Sequence, residues 1–396
     1  MTISTDVAIV GAGPYGLSIA AHLRTQAIEH RIFGSPMLSW RAQMPKGMFL
    51  KSEGFASNLH DPKGYSLQAF CAEHSLPYAD TNQPVALDTF INYGRAFQRQ
   101  LVPYVEEKSV AALESAPGGF ALRLDNGETL TARRVVLAIG LNHFRFIPDH
   151  LAGLPPQLLS HSADHHDVSR FTGQDVTVIG GGASALDLVA ALQQVGARPR
   201  LVARRRAIKW NLPLGAVPKL RLSPIGGLGG GWRNYAIEHA PMLFRRLPPP
   251  TRLRIVRNWL GPAGGWPSKE WVERGSVLLG QALRSATPNG SGVALSLGDP
   301  DGEQAPLHLH TDHVIAATGY KVDVAKLAFL DPKIRAQLQT IEQTPVLSAD
   351  FQSSVRGLYF VGLAAANSFG PVMRFLLGGR YSARRLAKHF AGERTP

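Results

Sequence analysis

Two short glycine-rich stretches hold the residues best placed to do chemistry, GAGPYG at 11–16 and GGGASA at 180–185. Each sets small residues at its first, third and sixth positions: Gly11, Gly13 and Gly16, then Gly180, Gly182 and Ala185. A strand that ends in such a turn and continues as a helix binds a pyrophosphate, because the first helical amides have no partner within the helix and point at the anion. The first small residue permits the turn, the second lets the backbone approach the phosphates, and the third lets helix pack on strand. Pro14, Tyr15 and Ser184 sit inside these turns and are candidate cofactor neighbours.

The flanking elements are those the motif needs. DVAIV runs without charge after Asp6, as a strand buried on both faces does, and the helix after Pro14 sets Leu17, Ala20, Ala21 and Leu23 on one side. HRIFG at 30–34 is the next strand, so the first 34 residues open a right-handed β-α-β unit. VTVIGGGASALDLVAAL at 176–192 repeats the pattern, and PRLVARRR follows as its second strand.

The strand ends suggest which nucleotide binds where. An acid that holds the ribose hydroxyls is expected near residue 34, where Gly34 and Ser35 stand instead, so the first adenosine is held by other means. At the second site Arg204, Arg205 and Arg206 follow the strand and suit an extra 2′-phosphate, which favours NADPH over NADH. Two nucleotide sites in one chain suit a flavin dinucleotide, FAD, at the first and NADPH at the second, with a hydride passing between them.

Composition narrows the acceptor of those electrons. The chain has 396 residues, 44% hydrophobic and 18% charged, enough for two or three globular domains. Its single cysteine, Cys71, cannot form the dithiol of a disulfide reductase, and within LQAFCAEHSL it reads as a buried, inert thiol. Oxygen is the simplest remaining acceptor; a quinone or partner protein, or a non-catalytic flavin-binding role, stays open. The net charge of +13 concentrates at 198–209 and 245–257. Without interleaved aromatics these clusters argue against nucleic acid, and membrane contact by 245–257 is a minor alternative to a solvated face. No apolar run reaches membrane-spanning length and no leader is evident, so a cytoplasmic enzyme is expected.

Further along, FALRLDNGETL carries a hairpin signal at Asn126-Gly127, and RRVVLAIG is a buried strand ending at Ala138 and Gly140. Residues 141–171 read as a connection between domains, and 213–267 as a loop-rich excursion. Pro371 is expected to open the last helix, whose N-terminus, after Phe369 and Gly370, would face negative charge on the flavin. The architecture expected is α/β, with two Rossmann-like dinucleotide-binding domains: a discontinuous FAD-binding domain (1–160 and 316–396) and an NADPH-binding domain (161–315). His161, His165 and His166 lie in a polar connection that matches no zinc pattern, so no metal site is expected.

GAGPYG, SWRAQMPKGMFLKS at 39–52, GGGASALD, DHVIAATGY at 312–320 and GLYFVGLAAANSFGPVMRF at 357–375 together resemble the single-component FAD- and NADPH-dependent monooxygenases. The likeness spans nearly the whole chain and points to the branch of ornithine and lysine N-hydroxylases and FAD-dependent urate hydroxylases. It implies that reduced FAD and O2 form a C4a-hydroperoxyflavin, which hydroxylates a small nucleophilic substrate, N-hydroxylation being favoured. It further implies that Lys51 pairs with a substrate carboxylate, although a lysine at a strand end is as often a solvated terminus. Asn58 and Asn367 are candidate polar contacts, Trp40, Arg41 and Met44 would wall the flavin, and Thr318 and Gly319 belong to the ATGY signature. Two departures stand out. The His-containing fingerprint between the domains survives only as His161, and the usual Gly-Asp before the last helix is Gly362-Leu363.

Overall fold

The computed structural model describes residues 3–213, 224–300 and 305–393. The first sheet starts with β1 (Ile3–Val10), which leads through helix α1 (Pro14–Thr25) to β2 (His30–Phe33). After α2 (Leu87–Leu101) come β3 (Val110–Ala116), β4 (Gly119–Leu124) and β5 (Thr129–Leu137). The order is β2-β1-β5-β4-β3, with β1 parallel to β2 and to β5, and with β3 and β4 added as an antiparallel ribbon. Val7, Ala8 and Ile9 are fully buried, which explains why β1 carries no charge after Asp6.

The second sheet comprises β6 (Leu159–His161), β7 (Asp175–Ile179), β8 (Arg198–Ala203), β9 (Ser276–Leu279) and, later in the chain, β13 (His313–Ala316). Helix α3 (Ala183–Gln194) joins β7 to β8, and buries Leu186, Leu188, Val189 and Leu192. The antiparallel strands β10 (Ala282–Asn289), β11 (Gly292–Gly298) and β12 (Leu307–Thr311) then lead into β13 (His313–Ala316). The order β9-β8-β7-β13-β6 is parallel throughout. The seams expected at 160/161 and 315/316 fall within β6 and within β13.

The chain then returns to the first sheet, where β14 (Leu358–Phe360) pairs in parallel with β5. The final helix packs its Ala383, Leu386 and Phe390 into the same core as α1. It spans Gly378–Gly392 rather than starting at Pro371, which opens a 3-10 turn, Pro371–Arg374. Proline at a first position suits either kind of turn. Here the Arg374 guanidinium is drawn to the Val256, Trp259 and Leu260 carbonyls, and the chain straightens before Gly378.

Two further expectations change. Residues 214–223 of the excursion lie outside the described residues, but its remainder carries three helices among its loops: α4 (Trp232–His239), α5 (Pro241–Arg245) and α6 (Pro249–Asn258). The stretch 141–171 is more than a connection, since it supplies β6 and buries His161 and His165. Ala163 N donates to His161 Nδ1 at 3.1 Å, so Nε2 carries the proton and donates to Gly319 O at 3.2 Å. Ser160 Oγ lies 2.6 Å from His165 Nε2 and 2.8 Å from His313 Nε2, joining the two rings. No cluster able to hold a metal ion occurs among the described residues.

Burial first, and the Arg170 guanidinium second, hold His165 and His313 down at about 4, against an ordinary 6.5. Below 6.5 the unfolded chain therefore takes up protons that the folded chain refuses. Thermal stability should be full above about pH 6.5 and fall as the pH drops towards 4. Replacing either ring by glutamine, which keeps a polar side chain but does not titrate, should flatten that slope in a pH series of melting curves.

Candidate functional site

The first glycine turn connects β1 to α1. Gly11 takes φ +114°, and a Cβ there would lie 2.3 Å from the Ala138 carbonyl oxygen, at the end of β5. A Cβ on Gly16 would lie 1.8 Å from Gly11 O, whereas one on Gly13 would meet nothing within 4 Å. Gly11 and Gly16 thus serve the packing of the turn, and Gly13 faces open space beside the unfilled start of α1, which has no side-chain cap. Pro14 opens the helix. The buried Tyr15 hydroxyl lies 3.0 Å from Met373 O and 2.8 Å from Phe375 O and ties α1 to the segment before the last helix. Burial pushes its phenol well above the usual range.

This open space is the wall of a cavity of about 840 Å³ that runs across the face of both sheets. Gly34 and Ser35 line one part, with Trp40, Met44, Ala138 and Gly140 beyond the turn, and Gly362 and Leu363 after β14. Ser184 and Asp187, from the start of α3, line it on the other side, so the first glycine turn and the helix that follows the second border one space. Trp40 is held edge-on to Phe90 with ring centres 4.6 Å apart. Arg41 is turned to Ser35, its Nη2 donating to Oγ at 2.6 Å.

Lys51 lines the cavity with its Nζ 3.7 Å from Asp187 Oδ2, and Ser268 Oγ donates to Asp187 Oδ1 at 2.9 Å. Burial lowers the Lys51 ammonium and raises the Asp187 carboxyl, and the attraction between them opposes both shifts. The lysine is therefore not a solvated strand end: it bridges the first sheet's loops to α3. Asp187, absent from the candidates above, does carry a signal: it is the one charge in the apolar run ALDLVAAL, where a lone acid must find a partner. Arg374, another cavity residue, carried no signal in the sequence.

The second turn repeats the first in detail. Gly180 takes φ +149°, and a Cβ there would lie 2.2 Å from Ala317 O, just as Gly11 meets Ala138 O, the residue after β5. Ala185 is fully buried under the turn. Thr318 and Gly319, next in the chain, are tied to the linker: Thr318 Oγ1 donates to Phe146 O. Gly182 differs from Gly13, for Pro262 Cβ lies 3.2 Å from the Cβ position, and Arg205 Nη1 donates to Pro262 O at 3.0 Å. A strap at 260–265 thus crosses the second turn, and Arg205 is partly committed to it. Arg204 is exposed immediately after β8. Arg204→Ala should raise the KM for NADPH roughly tenfold and leave that for NADH unchanged, the loss expected of one guanidinium–phosphate contact. Steady-state kinetics with both coenzymes check this.

Other candidates lie elsewhere. Asn367, a candidate polar contact, borders a separate small recess with Arg252 and Thr344 and does not line the cavity. Phe369 is fully buried, stacked on Phe351 with centres 4.1 Å apart, and a Cβ on Gly370 would meet the Phe244 ring at 3.2 Å. Neither lines the cavity, and the element that begins there is the single 3-10 turn Pro371–Arg374 rather than the last helix. Asn58 is bound to its own backbone surroundings, accepting from Leu67 N and donating to Phe55 O. Cys71 is buried, and burial raises its thiol further from reactivity.

Comparison with known proteins is consistent with this geometry. The family model described as pyridine nucleotide-disulphide oxidoreductase matches residues 8–225, which include both glycine turns. The chain belongs to this family. Its lone cysteine separates it from any dithiol chemistry the family's description suggests. Indole-3-pyruvate monooxygenase YUCCA1 of Oryza sativa subsp. japonica is 30% identical, over 96% of this chain and 90% of that protein. FAD-dependent urate hydroxylase of Xanthomonas campestris pv. campestris is 25% identical, over 98% and 85%. The ornithine N-hydroxylase of Kutzneria sp. 744, in a form with reduced FAD, NADP+ and L-ornithine, shares the fold with a TM-score of 0.77 at 16% identity, covering 99% of this chain and 100% of that one. The chain is thus an oxidoreductase with the FAD/NAD(P)-binding fold. The open space at Gly13, beside uncapped amides, fits the pyrophosphate of a flavin dinucleotide. No helix among the described residues is long and apolar enough to cross a membrane.

Proposed function

We propose that this protein is an FAD-dependent monooxygenase that uses NADPH and O2 to hydroxylate a small nucleophilic substrate in the cytoplasm, N-hydroxylation being favoured. The observation that carries this reading is that the glycine turn at Gly11–Gly13 and the start of α3, which follows the second glycine turn, line one cavity with no dithiol beside it. We assign 1–160 and 316–396 to FAD and 161–315 to NADPH. FAD, when bound, supplies hydride acceptance and oxygen activation.

The chain's own residues bind, orient and shield. Gly13 and the start of α1 would hold the flavin pyrophosphate, and Ser184 and the start of α3 the nicotinamide one. Trp40, Met44 and Leu363 provide apolar walls that keep water from the reacting centre. The Lys51–Asp187 pair offers a donor and an acceptor side by side to a polar substrate. Coupling tests the proposal. With its substrate the enzyme should convert one NADPH and one O2 into one hydroxylated product with little hydrogen peroxide; peroxide matching NADPH under every candidate amine, purine and indole would instead indicate an oxidase.

A further inference from the structure

The first nucleotide site lacks an acid at the end of β2, yet the structure brings one there from another part of the chain. Residues 106–108 run beside β2: Phe33 and Glu106 form a parallel bridge, Glu106 N donates to Ile32 O at 2.9 Å, and Gly34 N donates to Glu106 O at 2.9 Å. That pairing places Glu107 against the turn after β2. Ser35 Oγ donates to Glu107 Oε2 at 2.8 Å and accepts from Arg41 Nη2 at 2.6 Å, while Arg41 Nε is buried without a partner. Ser35, Lys108 and Ser109 line the cavity, and Glu107 stands exposed at its rim. The neighbouring acid, Glu106, is committed to Arg31 through paired bonds of 2.7 Å.

We propose that Glu107 supplies the carboxylate that binds the adenosine ribose hydroxyls of FAD, positioned by Ser35 and Arg41. The end of a second Rossmann strand is where a ribose must lie when its pyrophosphate sits on the first turn. A carboxylate delivered sideways from residue 107 meets that need as well as one at residue 34. An acid at residue 34 itself would take the left-handed φ of +124° that Gly34 adopts, with its Cβ 3.2 Å from Ala12 N. The acid has moved to a neighbouring segment, and the glycine closes the turn.

This inference rests on FAD occupying the first site, and its test separates the two ideas. The full chain is stripped of flavin and titrated with FAD, with FMN, which has no adenosine, and with an FAD analogue whose adenosine ribose lacks both hydroxyls. The wild-type chain should bind FAD about tenfold more tightly than the analogue. Glu107→Gln should weaken FAD about tenfold, leave FMN unchanged, and bind FAD and the analogue equally. The proposal is overturned if the wild-type chain does not distinguish FAD from the analogue, if Glu107→Gln still does, or if the variant loses FAD and FMN alike. Failure of the wild-type chain to bind any of the three flavins would instead remove the flavin site itself.

Discussion

Gly11→Ala should yield a chain that folds poorly and retains no flavin, while Gly13→Ala should fold normally and still bind flavin weakly. The two positions are two residues apart in one motif, yet they serve different ends. At Gly11 an alanine would have to adopt φ +114° with its Cβ 2.3 Å from the Ala138 carbonyl oxygen, so the ends of β1 and β5 must part. Backbone strain and overpacking together should cost roughly 3 kcal/mol. Gly13 has an ordinary φ of −81°, and its Cβ would meet no protein atom within 4 Å. The methyl group would occupy only the open space proposed for the pyrophosphate. Melting of the flavin-free chain should therefore change by no more than about 0.5 kcal/mol, with flavin affinity down roughly tenfold or more. Equal stability losses in the two variants would contradict the distinct roles given to these glycines.

The second large effect concerns the buried ion pair. Asp187→Leu leaves the Lys51 ammonium facing an apolar wall, and breaking such a pair should destabilise the fold by about 2–3 kcal/mol, less than a fully buried pair because the lysine side chain keeps 23% of its exposure. Lys51→Met should be milder, since Asp187 can take up a proton and Ser268 still donates to it. The double variant, Lys51→Met with Asp187→Leu, should recover most of the loss, because an apolar pair of similar volume replaces two charges taken out of water. Denaturant midpoints for the four chains complete the cycle. Strict additivity would mean that the two side chains do not act as a pair.

What could be read in the chain beforehand was local. Strand, glycine turn and helix lie within about twenty residues of each other, so their periodicities and small residues state the fold and the pyrophosphate cradle directly. The repeat of that pattern also gave away the second site. Features built by distant segments were not legible: Glu107 reaches Ser35 only because Glu106 pairs with β2, and Asp187 finds Lys51 only because two sheets face one cavity. The same cause explains the misplaced helix start at Pro371 and the histidines of 161–166, where burial depends on partners far away in sequence. Pro262 lying over Gly182 is a further case, since nothing in GPAGGWP says which turn it will cover.

Hydride should pass from a nicotinamide held at the start of α3 to a flavin held at the Gly11 turn through the cavity that both line. Anaerobic mixing of the FAD-loaded protein with NADPH, followed by the visible absorbance of the flavin, tests it most directly. The flavin should bleach fully with one equivalent of NADPH, and more slowly or at higher concentration with NADH. A flavin that remains bound and oxidised in the presence of excess NADPH would contradict the account.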